Sequence, residues 1–345
     1  MADEVLFAGG RLDSVGISGT PVEVTTASRF NSTYADSAVS LSTTDILTAT
    51  FMTPSGGAMA ATDVVTGETL YVHMDYCQQI ATIVNNQNWI TLYDSSGFPW
   101  LAMRTNSTSF SVGVYYNSGT GASPVWTQVG SSFVPAVSLT LFTLDIKLTL
   151  GSPHTVEITL NGAVQIAATT FTQASLTSLR SVKVNGTNSS TNISFVSQIL
   201  CTRGITTIGA FVKYARATGA GTNAGWSGAY TDVNAAIGND ATINSAATTG
   251  LKQTYAMGDV TVPAGFVIKS VFNFFRAKNN GAAPANIKSV LRSSGADYSS
   301  ASLTLPAMST SFNAMGMRYD LDPATSLPWT QAGWNAAEAG FESLT

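Results

Sequence analysis

From "PVEVTTASRF" to "NISFVSQILCTR", residues 21–203, the apolar side chains come in runs of strand length, each closed by Gly, Asn, Ser or Pro. "DILTATFMT", "TLYVHMDYC", "NWITLYDSSG", "PWLAMRTNS", "SFSVGVYYNS", "PVWTQVGSSF", "LFTLDIKLTL" and "HTVEITLNGAVQIAATTF" follow one another with no convincing amphipathic helix between them. A period of two sends alternate side chains to opposite faces, and short strands at short intervals bury their apolar faces by pairing antiparallel and stacking two sheets. The expected class is therefore all-β, with a β-sandwich at the N-terminus. Within "EITLNGAVQIA", Asn161-Gly162 predicts a tight hairpin, because both residues tolerate the positive φ that a type I′ turn requires.

The pattern changes after Arg203. Residues 215–250 are rich in Gly, Asn and Ala and read as loop. Strand-like runs resume in "LKQTYAMGDV", "FVIKSVFNFFRAK", "ANIKSVLRSSGADYSS" and "ASLTLPAM". In the terminal "DPATSLPWTQAGWNAAEAGFESLT", Thr330 can cap a short helix with Trp334, Ala337 and Phe341 on its apolar side and Gly340 as its stop. Two domains are expected, 1–205 and a smaller β-sandwich-like domain 206–345 that ends in the short helix.

Charged residues make up 10% of the chain, against roughly 25% in an ordinary soluble domain, so solubility rests on hydroxyl and amide groups. Residues 1–205 hold twelve acids and seven bases, and residues 206–345 hold eight and nine. Neither half has the clustered Lys and Arg of a nucleic-acid surface, and no run reaches the ~18 apolar residues of a membrane helix. "MADEVLFAGG" lacks the basic start of a secretion signal, so synthesis in a cytoplasm is expected. The sequons at Asn31, Asn106, Asn185, Asn188 and Asn192 are read as chance in a chain rich in Ser and Thr.

Chemistry is hard to find in this sequence. Cys77 and Cys201 sit in strand-like runs without metal-ligand spacing and are read as reduced, buried thiols. His73 and His154 are the only histidines, and no G-x-S-x-G elbow accompanies them. Alternation sets His73 on one strand face with Tyr71 and Asp75. Paired acids on one strand, as some glucanases use them, are missing: Asp145 and Glu157 fall on different strands. The expectation is a protein that is not an enzyme and needs no metal or cofactor. Carbohydrate binding is better provided for. Trp89, Tyr93, Trp100, Tyr115, Tyr116 and Trp126 accompany Asn88, Asp94 and Asn117, although a sandwich also fills its core with aromatics. Tyr115 and Tyr116 are adjacent, so one faces in and the other out.

Two resemblances follow from these stretches. Residues 89–119 and "TLDIKLTLGSPHTVEITLNGAVQIAATTF" resemble the laminin-G or concanavalin-A-like jelly roll. Residues 195–341 resemble a module of tailed-bacteriophage virion proteins. The match lies in Trp226-Ser227-Gly228, Asp232-Val233-Asn234, Asp240 with Ser245, and Asp322-Pro323, Thr325, Trp329-Thr330 and the segment 335–340. It departs in having Ser-Leu-Pro before Trp329 where a glycine turn stands. The resemblance implies a structural component of a phage particle (tail-associated, collar or head-decoration), located in the virion. Its partners would be other virion proteins, or copies of itself in a homo-oligomer. Trp226, Asp322, Pro323, Trp329 and Trp334 would serve assembly and structure, with the second domain as anchor and the jelly roll outward. The alternative is an adhesin that binds a host surface glycan through Trp89, Tyr93, Trp100, Tyr116 and Trp126.

Overall fold

A computed structural model describes the chain except residues 1–3, 10, 12–13, 20, 26–36, 43, 56–57, 80–85, 107–110, 136–139, 187–192, 235–240, 280–283 and 306–312. Strands hold 56% of it and helices 3%, as the all-β expectation requires. It divides into two compact units, one of residues 1–52 and 61–212, the other of residues 53–60 and 213–345. Among the described residues no helix is long and apolar enough to cross a membrane.

The first unit is built on two antiparallel sheets. The first sheet has eight strands, in the order Ala163–Phe171, His154–Leu160, Phe142–Thr149, Thr69–Gln79, Ile193–Arg203, Ser37–Leu41 and Val22–Thr25, with Glu4–Gly9 also paired to Ile193–Arg203. The second has seven, in the order Trp126–Phe133, Val112–Asn117, Pro99–Thr105, Asn88–Tyr93, Ser181–Asn185, Ile46–Thr50 and Gly16–Ser18. Chain neighbours are often not sheet neighbours, which is the crossing connectivity of a jelly roll.

Alternation decides what lies between the sheets. Leu70, Val72, Met74 and Tyr76 oppose Leu148, Ile146, Leu144 and Phe142, and all are buried. From the second sheet Ile90, Leu92, Leu101, Met103, Val114, Val182 and Val184 are buried as well. Each such side chain removed from water contributes about 1.5–3 kcal/mol. Asn161 and Gly162 have φ of 47° and 77°, the expected hairpin geometry, and Leu160 pairs with Ala163 across it. Cys77 and Cys201 are buried thiols, not joined in a disulfide, and burial pushes both above their ordinary pKa.

In the second unit a six-stranded sheet runs in the order Ala217–Ala224, Lys252–Met257, Glu338–Leu344, Asn286–Ser293 and Ala296–Ser299, with Leu303–Thr304 also paired to Asn286–Ser293. A ribbon of Val271–Ala277 and Asn313–Tyr319 packs on it, with Asn273 Nδ2 donating to Gly340 O at 3.1 Å and Phe275 against Phe341 at 5.8 Å. Two expectations change here. Residues 217–224, read as loop, form an edge strand. Its small side chains let the chain lie close, since a Cβ on Gly221 would meet the Thr254 carbonyl carbon at 2.5 Å. The helix is the single turn Gln331–Asn335, capped by Thr330 Oγ1, which accepts from Gly333 N at 2.9 Å. Gly340 and Phe341 are not its continuation. They lie in the strand Glu338–Leu344 inside the sheet, where backbone pairing on both edges outweighs helix propensity.

Candidate functional site

Two outward surfaces of the first unit gather chemistry. On the first sheet, Asp145 opposes His73 on one side and Thr159 on the other, and Lys147 opposes Tyr71 and Glu157. His73 Nδ1 lies 2.9 Å from Asp145 Oδ1, which also accepts from Thr207 Oγ1 at 2.8 Å. His73 and Asp145 are buried. Beside them a depression of about 220 Å³ is lined by Tyr71, Asp145, Lys147, Glu157, Thr159 and Thr206, with Ile146 and Ile208. It is smaller than the roughly 300–1,000 Å³ that holds a drug-sized ligand. Asp145 and Glu157 stand on adjacent strands in diagonal register, which places them about 7 Å apart. A carboxylate that fixes one nitrogen of an imidazole, with a second acid and an amine close by, is an arrangement able to hold and move protons. The other histidine is structural: His154 Nδ1 accepts from Gly151 N at 3.1 Å and its Nε2 donates to Gln173 O at 2.9 Å.

The second surface is the outer face of the second sheet. Ala102, Tyr115 and Gln128 stand in one row across three strands, with Arg104 one step along. The Arg104 guanidinium lies 5.4 Å from the centre of the Tyr115 ring and 5.2 Å from that of Trp126. Further across, Lys183 Nζ sits 4.1 Å above the Tyr93 ring. All five side chains are half-buried. Burial lowers the Arg104 pKa while Tyr115 acts in the opposite direction, and burial pushes the Tyr93 phenol up. Arg104 Nη2 donates to Asn86 O at 2.9 Å, whereas Arg104 Nε and Asn88 Oδ1 are buried with no partner among the described residues. Ring faces with in-plane donors beside them suit the stacked rings and polar substituents of sugars.

The expected glycan residues are therefore divided. Tyr93 and Trp126 face outward, together with Tyr115, while Trp89, Trp100 and Tyr116 are taken up internally. A bulge between Asn88 and Ile90 turns Trp89 into the core, where it stacks on Tyr76 at 5.7 Å. Trp100 Nε1 donates to Asp94 Oδ2 at 2.8 Å and the residue is 4% exposed. Tyr116 stacks on Phe171 of the other sheet at 5.0 Å. Arg104 and Lys183 were not singled out in the sequence, although they are the only charged residues on the seven strands of this sheet.

In the second unit the motif residues close loops and core. Trp226 packs on Phe341 at 4.6 Å and its Nε1 donates to Leu251 O at 2.9 Å, and Ser227 forms a bridge to Ser245. Asp232 Oδ2 accepts from Ala229 N at 2.7 Å, while Asp240 lies outside the described residues. Asp322 Oδ1 accepts from Ser293 Oγ at 2.7 Å and Ala324 N at 3.0 Å, holding the turn that Pro323 begins. Trp329 and Trp334 meet edge to face at 6.2 Å in the core of the unit. Among the described residues no group of three His, Cys, Asp or Glu could hold a metal ion.

No protein-family model and no curated protein matches the sequence. Solved structures do show similarity. An endo-β-1,4-glucuronan lyase from the fungus Trichoderma reesei aligns at 13% identity over 58% of this chain and 94% of its own, with a TM-score of 0.39. A carbohydrate esterase from the Shiga toxin-encoding bacteriophage phi24B aligns at 14% identity over 58% and 99%, with a TM-score of 0.38. The receptor-binding domain of botulinum neurotoxin type G aligns at 8% identity over 57% of this chain and 46% of its own, also with a TM-score of 0.38. These are likenesses of fold. The expectation that the chain is not an enzyme is overturned: a lyase and an esterase stand among the structures similar to it, and pairing of neighbouring strands brings Asp145 and Glu157 to one face although the sequence sets them on different strands.

Proposed function

We propose that the chain is a component of a tailed-bacteriophage particle whose sandwich recognises a host surface glycan. The observation that carries the glycan half of this reading is the outer face of the second sheet, with Tyr93, Tyr115 and Trp126 half-exposed and Arg104 and Lys183 laid on their rings. Half-buried aromatic faces are rigid platforms that lose little entropy when a ring stacks on them.

The particle half rests on the sequence motifs of residues 195–341 and is supported by the surface of the second unit. Phe266 and Val267 are exposed next to one another, and Leu321 and Leu327 are exposed on the two strands of one hairpin. Apolar side chains left in water in a charge-poor chain favour burial against a neighbouring subunit. The second unit is thus the assembly module, toward other virion proteins or further copies of the chain, and the sandwich is the outward module.

Screening the full chain on an array of bacterial surface glycans tests the reading. Binding that is lost in Trp126→Ala with an unchanged melting temperature is expected. A chain that binds no glycan, or whose reconstruction in an intact particle buries the second sheet's outer face against capsid or tail, would overturn it.

A further inference from the structure

We infer that the outer face of the second sheet takes an anionic polysaccharide, one bearing carboxylate or sulfate groups, in preference to a neutral one. This rests on the glycan reading above and adds the charge of the ligand. The seven strands of the second sheet contain no Asp or Glu. The strands of the first sheet contain Glu4, Glu23, Asp75, Asp145 and Glu157. In a sandwich where acids outnumber bases, the strands of the second sheet alone carry bases and no acid.

The partners of the bases point the same way. Arg180 is paired with Asp63 and Arg203 with Glu4 and Glu68. Arg104 and Lys183 lie on aromatic rings instead and make no ion pair among the described residues. The carboxylate one residue beyond Tyr93 forms no ion pair with either base among the described residues. Asp94 accepts from Ser96 N at 2.8 Å, Phe98 N at 3.0 Å and Trp100 Nε1 at 2.8 Å.

Stacking leaves the edge of a guanidinium free, and that edge is the part that meets a carboxylate or sulfate. Among the described residues the Arg104 guanidinium gives Nη2 to Asn86 O and keeps Nε buried, and no carboxylate pairs with the fork. A neutral sugar offers hydroxyl donors and gains most from carboxylate acceptors, and the strands of this face supply none. Lys183 and Ala102 oppose Thr91 from its two sides, so the strands bearing Lys183 and Arg104 are two spacings, about 10 Å, apart. A single ring does not reach both cations, whereas a polymer with acidic groups on several residues does.

The test is affinity electrophoresis of the full chain through gels containing polygalacturonate, dextran sulfate or uncharged dextran, at low salt and at 0.5 M NaCl. We expect one or both polyanions to retard the chain at least tenfold more strongly than dextran, with the effect falling steeply in salt. Whichever responds identifies carboxylate or sulfate as the recognised group. Arg104→Gln and Lys183→Gln should each weaken it severalfold without shifting the melting temperature. If Arg104→Gln does not fold, Lys183→Gln and Arg104→Lys carry the test, the latter keeping the charge but losing the planar fork. Retardation by dextran as strong as by the polyanions would overturn the inference, as would folded variants that bind the polyanions unchanged. Equal affinity for single-stranded DNA would also overturn it, as attraction to any polyanion. Binding of neutral array glycans alone, abolished by Trp126→Ala, would remove the anionic inference and leave the glycan reading standing. Binding of nothing would remove both.

Discussion

Trp89 and Tyr76 stack across the sandwich, one ring from each sheet, with centroids 5.7 Å apart and planes 14° from parallel. Trp89 is 3% exposed and Tyr76 1%. The pair therefore joins the sheets and presents nothing to a ligand. Trp89→Ala should cost about 3–5 kcal/mol, read as a lower urea midpoint at unchanged slope. A variant as stable as the parent would show that the bulge at Asn88 does not direct this ring inward.

Tyr115 and Tyr116 separate the two roles of the aromatic set within one dipeptide. Tyr116 faces Phe171 across the core, and Tyr115 lies under Arg104 with its hydroxyl donating to Gln128 Oε1 at 3.2 Å. Tyr116→Ala should lower the melting temperature by several degrees. Tyr115→Ala should leave it nearly unchanged and reduce glycan retardation about tenfold, the worth of one stacked ring. Calorimetry and affinity gels on the two variants are the measurement, and an exchange of the two phenotypes would refute the placement.

Acid should loosen the second unit. Partial burial works against ionisation of Asp297, but Arg292, Lys252 and Asn223 bond to it and hold its carboxyl below the ordinary value of 3.8. For Glu338 burial is likewise outweighed by Thr254 and Thr222, and its carboxyl lies below the ordinary 4.5. A depressed folded pKa contributes stability that is present above the unfolded value and lost as pH falls through the folded one. Urea midpoints should therefore hold above pH 5 and fall below pH 4. Asp297→Asn with Glu338→Gln should lower the midpoint at pH 6 and flatten the acid decline.

Gly340 and Thr330 test where the helix ends. A Cβ at position 340 would lie 1.9 Å from Gln253 O, so Gly340→Ala must shift backbone in the middle of a sheet. It should destabilise by more than the ~1–3 kcal/mol of ordinary overpacking. Thr330→Ala removes one cap bond and should cost about 1 kcal/mol. Thermal unfolding of both variants gives the comparison. A mild effect at Gly340 would point back to a helix stop.

What was legible in the sequence is what local rules determine. The strand runs, the Asn161-Gly162 hairpin and the Thr330 cap follow from side-chain period and backbone preference. The direction of Trp89 did not, because the bulge at Asn88 breaks the alternation and depends on the register with Arg104 and Met103 of the next strand. The company of Asp145 and Glu157 was hidden for a similar reason, since only cross-strand register makes them neighbours. Small residues such as Gly221 look like loop until the sheet they must approach is present. Arg104 and Lys183 could have been found earlier. They carry the only charges in seven strand-like runs, a pattern visible once the runs are known to form one sheet.

Counted over strands, the first sheet holds five acids against Lys147 and Arg203 while the second holds Arg104 and Lys183 and no acid, an imbalance that gives the sandwich an electric dipole. Near a negatively charged envelope such a field would exert a torque that turns the second sheet inward before any atoms touch. Within a Debye length, about 8 Å at physiological salt, a tethered sandwich would arrive already oriented, and fewer of its encounters would be wasted on the wrong side.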